Sequence, residues 1–579
     1  MFLLSIVLAS TLHAGPLAAL RLRGGGAATT APDSLLQQLH SLRETISADP
    51  GLVAADDELR SRLEELRGSL KATLDAPDAQ GLSRLHCAII EQDDERCDTL
   101  LQAGANPDVA AGGIRVRPLH LAVLAGDERT ECLQRLLRAG AAPDARDARG
   151  TTSLHAAAAL NLPHSASLLL EHGASPNLRG ARGVRPLQLS GWVNAAEAAQ
   201  VLLDAGAKVD AADHRGRSAC HAAAASDAAE VLEVLCDGGA NAERRDARGW
   251  TPLHYAVRAC RCADPRCGRT RALSFLLEAQ RCAVMPRDKA GWTPLHVAAE
   301  HERIASVVQL LRCERCEVDA PGPNGCTPLM LAAHAGSRKC AAALLAAGAS
   351  LDRRDGGGAT ALLAAAAGRR AKAMRLLLQA GADPHCRDSS GSGAAFFAAK
   401  GGSAACVRLL REHGVELATQ NDFGWSALHA AANSSHVEAL SALCDAGVSS
   451  RPDAYGWTPL MIATHRIGEP GCRCRACVKR RARSLQCMRV LLREGAPGAC
   501  DAADRQGATA AHLAAAHDSA AALRLLREHG ADLWRRDRAG HTPLQVARSV
   551  RQPSQAARVL LMMRDGGGGG GGGDSGGGE

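Results

Sequence analysis

GWTPLHVAA, at residues 291–299, recurs in weaker form along the whole chain and determines its architecture. With His296 as the reference position, the other copies place in the same slot His86, His120, His155, Gln188, His221, His254, Met330, Leu363, Phe396, His429, Met461, His512 and Gln545. The commonest step between reference positions is 33 residues, and the two long steps are 42 residues before His296 and 51 before His512. A fixed period of this size predicts a stacked-repeat fold.

Each copy contains signals for two short helices. Thr293 can cap a helix N-terminus, and Pro294 suits the first turn, where a missing N–H costs nothing. Small and apolar residues follow, and a later Leu-Leu-x-x-Gly pattern such as residues 344–348 predicts a second helix that ends at the glycine. A helix pair of this size cannot bury its apolar face alone, so neighbouring copies must stack. We therefore predict an all-α solenoid of fourteen units.

The repeated motif resembles that of the ankyrin repeat family over residues 77–563. Thr-Pro-Leu-His is intact at residues 251–254 and 293–296, and residues 327–330 and 426–429 hold degenerate forms. The resemblance implies helix-turn-helix units joined by β-hairpin loops, called fingers here. It also implies a concave face, lined by the fingers and first helices, that binds other proteins. Gly-Ala-Ala-Phe at residues 393–396 is the poorest copy, so its hairpin and helix start are the least secure.

Composition excludes a core of large rings, because the 579 residues include only 6 Trp, 2 Tyr and 5 Phe. Leu, Val and Ala must therefore pack against each other. The net charge of +7 is small for this length, and a mildly basic balance does not by itself predict nucleic-acid binding. We interpret the high arginine content chiefly as a reflection of genomic base composition.

The termini differ in composition from the repeats. Residues 1–14 resemble a secretory signal peptide but lack a basic n-region, so a wrongly assigned start codon and a buried apolar end stay open as alternatives. Residues 15–32 form an Arg/Gly-rich linker, and residues 33–76 predict two amphipathic helices that cap the array. Residues 564–579 form a Gly-rich tail that we expect to be disordered. No apolar run is long enough to predict a transmembrane segment.

The two long steps reflect Cys/Arg-rich insertions at residues 259–270 and 467–483, each between the two helices of a repeat. The clustered cysteines are Cys260, Cys262 and Cys267 in the first insertion, and Cys472, Cys474 and Cys477 in the second. Three thiolates could bind one zinc ion with a fourth ligand from Cys282 in the first case, or from His465 or Cys487 in the second. Redox-active or disulfide-bonded loops and unpaired loops are the alternatives.

Cysteine usage also bears on localisation. The odd total of 21 cysteines favours reduced thiols and a cytoplasmic protein, whereas a functional signal at residues 1–14 would direct the chain to the secretory pathway. Residues 473–483 are strongly basic and could serve in nuclear import or nucleic-acid contact. No aromatic residue interleaves this run, so a solvated loop is favoured and a nucleic-acid partner is not predicted.

Four tryptophans occupy one column of the repeat, directly before the capping Thr or Ser: Trp250, Trp292, Trp425 and Trp457. Phe423 and Tyr455 stand two residues before the last two. Clustered exposed aromatic side chains are typical of binding hot spots, so these six residues are the candidate partner-binding residues. The alternative is that each Trp packs on the next finger and stiffens the array. The reference histidines look like the family's structural histidine, tied to the preceding turn.

These patterns favour a non-catalytic scaffold or adaptor that binds other proteins through the concave face and requires no cofactor. The alternative is a zinc-binding or redox-responsive protein whose Cys-rich insertions alter partner binding. An enzyme is not predicted, since neither a Gly-Lys dipeptide nor H-E-x-x-H occurs, and the single G-x-S-x-G match, at residues 573–577, lies in the glycine tail. Nothing in the sequence predicts an oligomeric state.

Overall fold

The computed structural model describes residues 68, 71–79, 81–113, 115–259, 270–278, 283–468, 474–494, 499–550 and 554–565. The predicted signal-like segment 1–14, the linker 15–32 and nearly all of the glycine tail lie outside this range. The chain divides into two compact units, residues 1–290 and 291–579.

From Arg84 onward, the described residues of the first unit contain six pairs of short helices, each beginning close to its predicted position. In chain order they are α1 (Arg84–Glu91), α2 (Asp94–Gln102), α3 (Pro118–Leu124), α4 (Glu131–Arg138), α5 (Ser153–Leu160), α6 (Pro163–Glu171), α7 (Pro186–Val193), α8 (Ala196–Asp204), α9 (Ala219–Ser226), α10 (Ala229–Asp237), α11 (Pro252–Ala259) and α12 (Arg271–Glu278).

Eight such pairs occur among the described residues of the second unit. They are α13 (Pro294–Glu300), α14 (Ile304–Leu311), α15 (Pro328–Ala335), α16 (Arg338–Ala346), α17 (Ala361–Ala367), α18 (Ala371–Gln379), α19 (Ala394–Gly401), α20 (Ala404–Glu412), α21 (Ala427–Asn433), α22 (Val437–Cys444), α23 (Pro459–His465), α24 (Arg475–Glu494), α25 (Ala510–Ala516), α26 (Ala520–Glu528), α27 (Pro543–Val550) and α28 (Gln555–Asp565). The fourteen predicted helix pairs are confirmed, and we number them repeats 1 to 14.

Helix starts follow the chemistry expected from the motif. Thr293 has an extended backbone (φ −96°, ψ 164°) and Pro294 is the first helical residue. Thr327 shows the same arrangement, and its hydroxyl accepts the Met330 N–H at 3.4 Å. At the end of a second helix Gly348 has φ +89°, a conformation that favours glycine and stops the helix.

Alanine and leucine form the core, as the composition predicts. Leu295, Ala298 and Ala299 on α13 and Val307 and Leu310 on α14 have no exposed surface. Each buried leucine contributes about 1.5–3 kcal/mol, while alanine lets neighbouring first helices pack closely, as α15 does with α17. The repeats therefore stabilise each other through many small contacts.

The fingers are tight turns rather than extended hairpins. Among the described residues only two isolated antiparallel bridges occur, Ala111 with Val116 and Arg387 with Gly393. Elsewhere the turn closes through a backbone bond such as Asp246 N–H to Trp250 C=O, at 2.8 Å. In the part of the chain that the structure describes, three fingers or loops contain a 3-10 turn, at Ala181–Gly183, Pro323–Gly325 and Ala499–Asp501.

The repeat at Phe396 folds like its neighbours despite its poor motif. Gly393 takes the extended backbone of the capping position (φ −95°, ψ 179°), and α19 follows it directly. Asp388 closes the finger, since its Oδ1 accepts the Ser392 N–H at 2.7 Å. A capping side chain is therefore not required where the packing of both neighbours positions the helix.

The second insertion differs from the predicted loop. Residues 475–483 continue the second helix of repeat 12, so α24 has 20 residues where its neighbours α22 and α26 have 8 and 9. In the first insertion residues 260–269 lie outside the described residues. Most of the predicted N-terminal cap, residues 33–67, 69 and 70, lies outside the described residues; its residues 71–75 are helical with Leu74 fully buried. Helix α28 extends the array to Asp565, beyond its predicted end.

Within the described residues, no helix is both long and apolar enough to cross a membrane.

Candidate functional site

The reference histidines connect each repeat to the next. The Nδ1 of His155 accepts the Thr152 N–H at 3.2 Å, and its Nε2 lies 3.2 Å from the Val184 carbonyl of the following finger. Since Nδ1 is the acceptor, Nε2 holds the hydrogen and donates. The same Nε2 bond joins His86 to Val116, His120 to Thr151, His221 to Trp250, His296 to Cys326, His429 to Trp457 and His512 to His541.

Burial disfavours the charged form of five of these histidines. Burial lowers the pKa of His155 to about 4, because the charged imidazolium would lose its hydration. Burial also lowers the pKa of His86, His120, His221 and His429. Gln188 replaces the histidine in repeat 4 and makes equivalent bonds, from the Arg185 N–H and to the Arg217 carbonyl. The contacts are those of a structural residue.

The fingers are held rigidly by acceptors at their first position. Oδ1 of Asp453 accepts the N–H groups of Tyr455 and Trp457 at 2.9 and 2.8 Å. Single backbone bonds then link adjacent fingertips, from Ala454 N–H to Phe423 C=O at 3.2 Å and from Arg505 N–H to Tyr455 C=O at 3.1 Å. The second unit thus presents a row of fingertips whose relative positions are fixed.

In the first unit Trp250, in the finger of repeat 6, and Tyr255, on α11, make internal contacts. The Trp250 indole N–H donates to Asp288 Oδ2 at 3.0 Å, and the indole ring stacks on His254 with centroids 5.7 Å apart. The Tyr255 hydroxyl donates to Asp246 Oδ2 at 2.9 Å, and burial, followed by that bond, raises the pKa of Tyr255 to about 12. This cluster is satisfied by its own repeat and the next finger.

The tryptophans of the second unit make similar ties. The Trp425 indole N–H donates to Asp453 Oδ2 at 3.1 Å, and its ring stacks on His429. Trp457 meets His465 edge-on with ring centroids 5.4 Å apart, and Trp292 meets His296 at 5.3 Å. All four column tryptophans are half-buried. These contacts fit the stiffening role, and their predicted part in partner binding stays a prediction.

Phe423 and Tyr455 are the open part of the aromatic column. They project from adjacent fingertips with 60% and 65% of their surface exposed. The Arg505 guanidinium lies 5.9 Å from the centroid of the Tyr455 ring, on the next fingertip. Arg248 and Ala290 occupy the corresponding positions before Trp250 and Trp292, so neither of those fingers has an aromatic tip. We call Phe423, Tyr455 and Arg505 the fingertip surface.

Two features were missed at the level of sequence. Trp534 is 41% exposed in the finger of repeat 14 but stands outside the tryptophan column. Cys97 on α2 and Cys132 on α4 bring their sulfur atoms within 3.5 Å. Their separation of 35 residues is close to the 34-residue step from His86 to His120, so the repeat period was the signal that could have predicted this pair.

Most of the predicted metal ligands lie outside the described residues: Cys260, Cys262, Cys267, Cys282 and Cys472. Cys474 is exposed just before α24, and its sulfur accepts the Cys477 N–H at 3.4 Å. The described residues contain no group of three or more His, Cys, Asp or Glu side chains arranged to hold a metal ion.

The candidate fourth ligands of the second insertion have other surroundings. Cys487 is fully buried, and burial raises the pKa of its thiol to about 12. The Nδ1 of His465 lies 3.0 Å from Nε2 of His517. The structure does not bring Cys487 into a cluster with Cys474 and Cys477 among the residues that it describes.

Comparisons with known proteins agree with this geometry. The family model described as "Ankyrin repeats (3 copies)" matches residues 85–180, 119–213, 187–264, 295–388 and 395–473, and the model "Ankyrin repeat" matches residues 248–289. Together these matches cover more than half of the chain. The described parts of repeats 13 and 14, beyond the matches, keep the same helix pairs and the His512 bridge.

Individual relatives match over shorter stretches. Rabankyrin-5 of mouse and of human are each 34% identical over 117 residues, which is 18% of this chain and 10% of those proteins. The chain thus spans about a tenth of the length of these relatives. The human ASB11 ankyrin repeat domain aligns with 28% identity and a TM-score of 0.36, over 40% of this chain and all of that one.

Ankyrin repeats are generally non-catalytic modules of protein interaction. The motif, the histidine bridges, the paired helices and the family models all lead to the same assignment: this chain belongs to the ankyrin repeat family.

Proposed function

We propose that the chain is a non-catalytic scaffold that binds partner proteins through the concave ankyrin surface, with Phe423 and Tyr455 as the central contacts. The observation behind this proposal is that two large aromatic side chains stand mostly exposed on adjacent, hydrogen-bonded fingertips. Because the backbones of these fingertips are held in place before binding, little backbone entropy is lost when a partner covers them. Such residues are typical hot spots.

The neighbours of these rings suggest what kind of partner segment they accept. Arg505 lies over Tyr455, so the aromatic surface has a cationic edge. An apolar residue of a partner would cover Phe423 and Tyr455, and an acidic residue beside it would meet Arg505. In this proposal Trp425 and Trp457 support the surface from below, and Trp250 and Trp292 act in the other two fingers of the column.

Selection from a random peptide library tests the proposal. Peptides enriched on the full-length protein should lose at least about 2 kcal/mol of affinity, roughly thirtyfold, for the Phe423→Ser/Tyr455→Ser variant. They should keep their affinity for Trp534→Ser, which removes an exposed aromatic ring elsewhere. Equal binding to both variants, or no enrichment above an unrelated protein, would overturn it. A Trp425→Ala/Trp457→Ala variant should cost at least about as much affinity.

A second candidate function is redox-responsive binding, favoured by the thiol pair Cys97 and Cys132. The Cys132 thiol has two acceptors within reach, Asp94 Oδ1 at 2.7 Å and the Cys97 sulfur at 3.5 Å. The contact between the two thiols lowers the pKa of Cys97 and raises that of Cys132. Hydrogen peroxide would oxidise the Cys97 thiol to a sulfenic acid, releasing one water. Cys132 would then attack that sulfur, releasing water and closing a disulfide between repeats 1 and 2. Two thiols and one peroxide thus yield one disulfide and two waters.

Thiol and metal analysis tests this second function, including its zinc form at Cys260, Cys262 and Cys267 and at Cys472, Cys474 and Cys477. Peroxide should lower the number of titratable thiols by two in the wild type. In the Cys97→Ser/Cys132→Ser variant this loss of two thiols should be absent. About one zinc per insertion, lost separately in triple Ser variants, would support metal binding. Fully titrating thiols after peroxide treatment and a metal-free protein would leave only the scaffold.

A further inference from the structure

The second helices of repeats 8 to 10 present an unusually basic surface. Their segments, residues 336–348, 368–381 and 402–414, contain one carboxylate, Glu412. The same segments contain eight exposed cations, which we call the basic surface: Arg338, Lys339, Arg369, Arg370, Lys372, Arg375, Arg408 and Arg411. Helices α16, α18 and α20 pack side by side, so these cations share one continuous face.

A uniform arginine-rich composition does not produce this distribution. The corresponding segment of repeat 1, residues 91–104, contains five carboxylates and one arginine. In repeat 5, residues 226–239 contain four carboxylates and no cation. These two segments of the first unit are therefore acidic where the corresponding segments of repeats 8 to 10 are basic. The positive charge is concentrated in repeats 8 to 10.

The basic surface contains a groove between α16 and α18. Its volume is about 450 Å³, and it is lined by Arg338, Ala371, Lys372, Arg375, Leu376 and Gln379. Ala371 and Leu376 supply an apolar lining, and the three cations stand around it. The one carboxylate of the surface reaches it only weakly, with Glu412 Oε2 at 3.9 Å from Arg375 Nη2 and both side chains 61% exposed. Such an exposed pair contributes little and can be exchanged for another anion.

We infer that the basic surface is a second docking site, for an acidic polypeptide segment that places an aliphatic side chain in the groove. Charge complementarity selects an anionic partner, and the apolar lining selects one with aliphatic side chains, which a nucleic-acid backbone lacks. None of the exposed large hydrophobic residues lies in these three segments, so the face offers no ring for base stacking and no anchor for a bilayer.

The inference goes beyond the scaffold function proposed above, because the site lies on the second helices rather than on the fingers. Binding at the basic surface would let the protein hold an acidic segment while the fingertip surface binds a second partner segment. The two sites can be separated experimentally, since no residue is shared between them.

Fluorescence anisotropy with a labelled peptide of glutamates around one central leucine tests the site on the full chain. Arg338→Glu/Lys372→Glu/Arg375→Glu should weaken binding at least about tenfold, and replacing the peptide leucine by serine should also weaken it. Binding to wild type should fall with rising salt. Arg338→Gln/Lys372→Gln/Arg375→Gln serves as a second variant if charge reversal impairs folding, which circular dichroism monitors.

The matched control reverses three exposed cations of the first unit, Arg138→Glu/Arg182→Glu/Lys208→Glu, and should leave peptide affinity within about twofold. Equal loss in this control would mean that net charge, not the basic surface, attracts the peptide, and would overturn the inference. Tighter binding of duplex DNA or of phosphatidylserine vesicles than of the peptide would overturn it as well. Phe423→Ser/Tyr455→Ser should bind the peptide like wild type, whatever the outcome at the fingertips.

Discussion

The two units of this protein use one repeat motif in different ways. From His86 to His254 every reference position of the first unit holds a residue that can hydrogen-bond to its neighbours. In the second unit Met330, Leu363, Phe396 and Met461 fill four of the eight slots, and their side chains donate no N–H. In the first unit Trp250 and Tyr255 donate hydrogen bonds to Asp288 and Asp246, while Phe423 and Tyr455 of the second unit face solvent.

This difference separates residues that hold repeats together from residues free to meet a partner. The cluster around Asp246 combines hydrogen bonds, burial and ring contacts, so disrupting it should lower the stability of the repeat. The fingertip surface has fixed backbone positions but exposed side chains. Substitutions there should lower partner affinity and leave the stability of the repeat unchanged. Four predictions test this contrast.

The largest expected effect is at Asp246, which accepts the N–H groups of Arg248 and Trp250 and the hydroxyl of Tyr255. Asp246→Ala would leave three donors without this acceptor, at a cost of about 3–5 kcal/mol in the free energy of opening of repeat 6. Hydrogen exchange of amides in that repeat measures it. Asp246→Asn should cost less than half as much, because Asn421 fills the equivalent position in repeat 11. Equal costs would contradict the role of Oδ1.

Acid should weaken the first unit more than the second. The folded-state pKa of His155 is about 4 against an ordinary value of 6.5. The unfolded chain therefore binds the proton first, and stability present above pH 6.5 is lost as the pH falls toward 4, by about 3 kcal/mol for this residue.

Hydrogen exchange, corrected for intrinsic rates, should show protection falling across repeats 2 to 4 before repeats 8 to 10. His155→Gln supplies the control, because Gln188 makes the same pair of bonds in repeat 4 without titrating. If this variant is as acid-sensitive as wild type in repeat 3, His155 is not the titrating group.

Restoring a bridge in the second unit should stabilise it. Met330→His would place an imidazole beside Thr327, with the Ala359 carbonyl in the position that Cys326 C=O has for His296. We expect a gain of about 1 kcal/mol, the net value of one intramolecular hydrogen bond. The opening free energy of repeats 8 and 9 at pH 7 checks this. A loss would show that the apolar slot is packed too tightly for the ring.

The smallest effect is expected at the fingertips. Tyr455→Ser should change the thermal stability of the second unit by less than about 0.5 kcal/mol, because 65% of the side chain is already exposed. Tyr255→Phe should cost about 1–2 kcal/mol in the first unit, since Asp246 loses a bonded hydroxyl. A similar cost at both tyrosines would remove the contrast between the closed and open clusters.

The sequence by itself determined the repeat, because a Thr-Pro cap, an Ala-rich first helix and a Leu-Leu-x-x-Gly ending are local signals that act within a few residues. The sequence also singled out Phe423 and Tyr455 as candidate contact residues, because aligning the repeats places both two residues before a column tryptophan. Helix α19 was the weak point, because Gly393 offers no capping side chain and packing by both neighbours supplies what the local signal lacks.

Only the tertiary structure decided which aromatic side chains are held by internal contacts and which are exposed to solvent. Trp250 and Trp425 occupy the same column as hot-spot candidates, yet their indole N–H groups bond to Asp288 and Asp453 of the next finger. The thiol pair Cys97 and Cys132 and the basic surface likewise arise between repeats, from residues about one period or more apart. Residues one repeat apart in sequence come into contact only when neighbouring repeats stack. Features built from two repeats therefore depend on how those repeats pack.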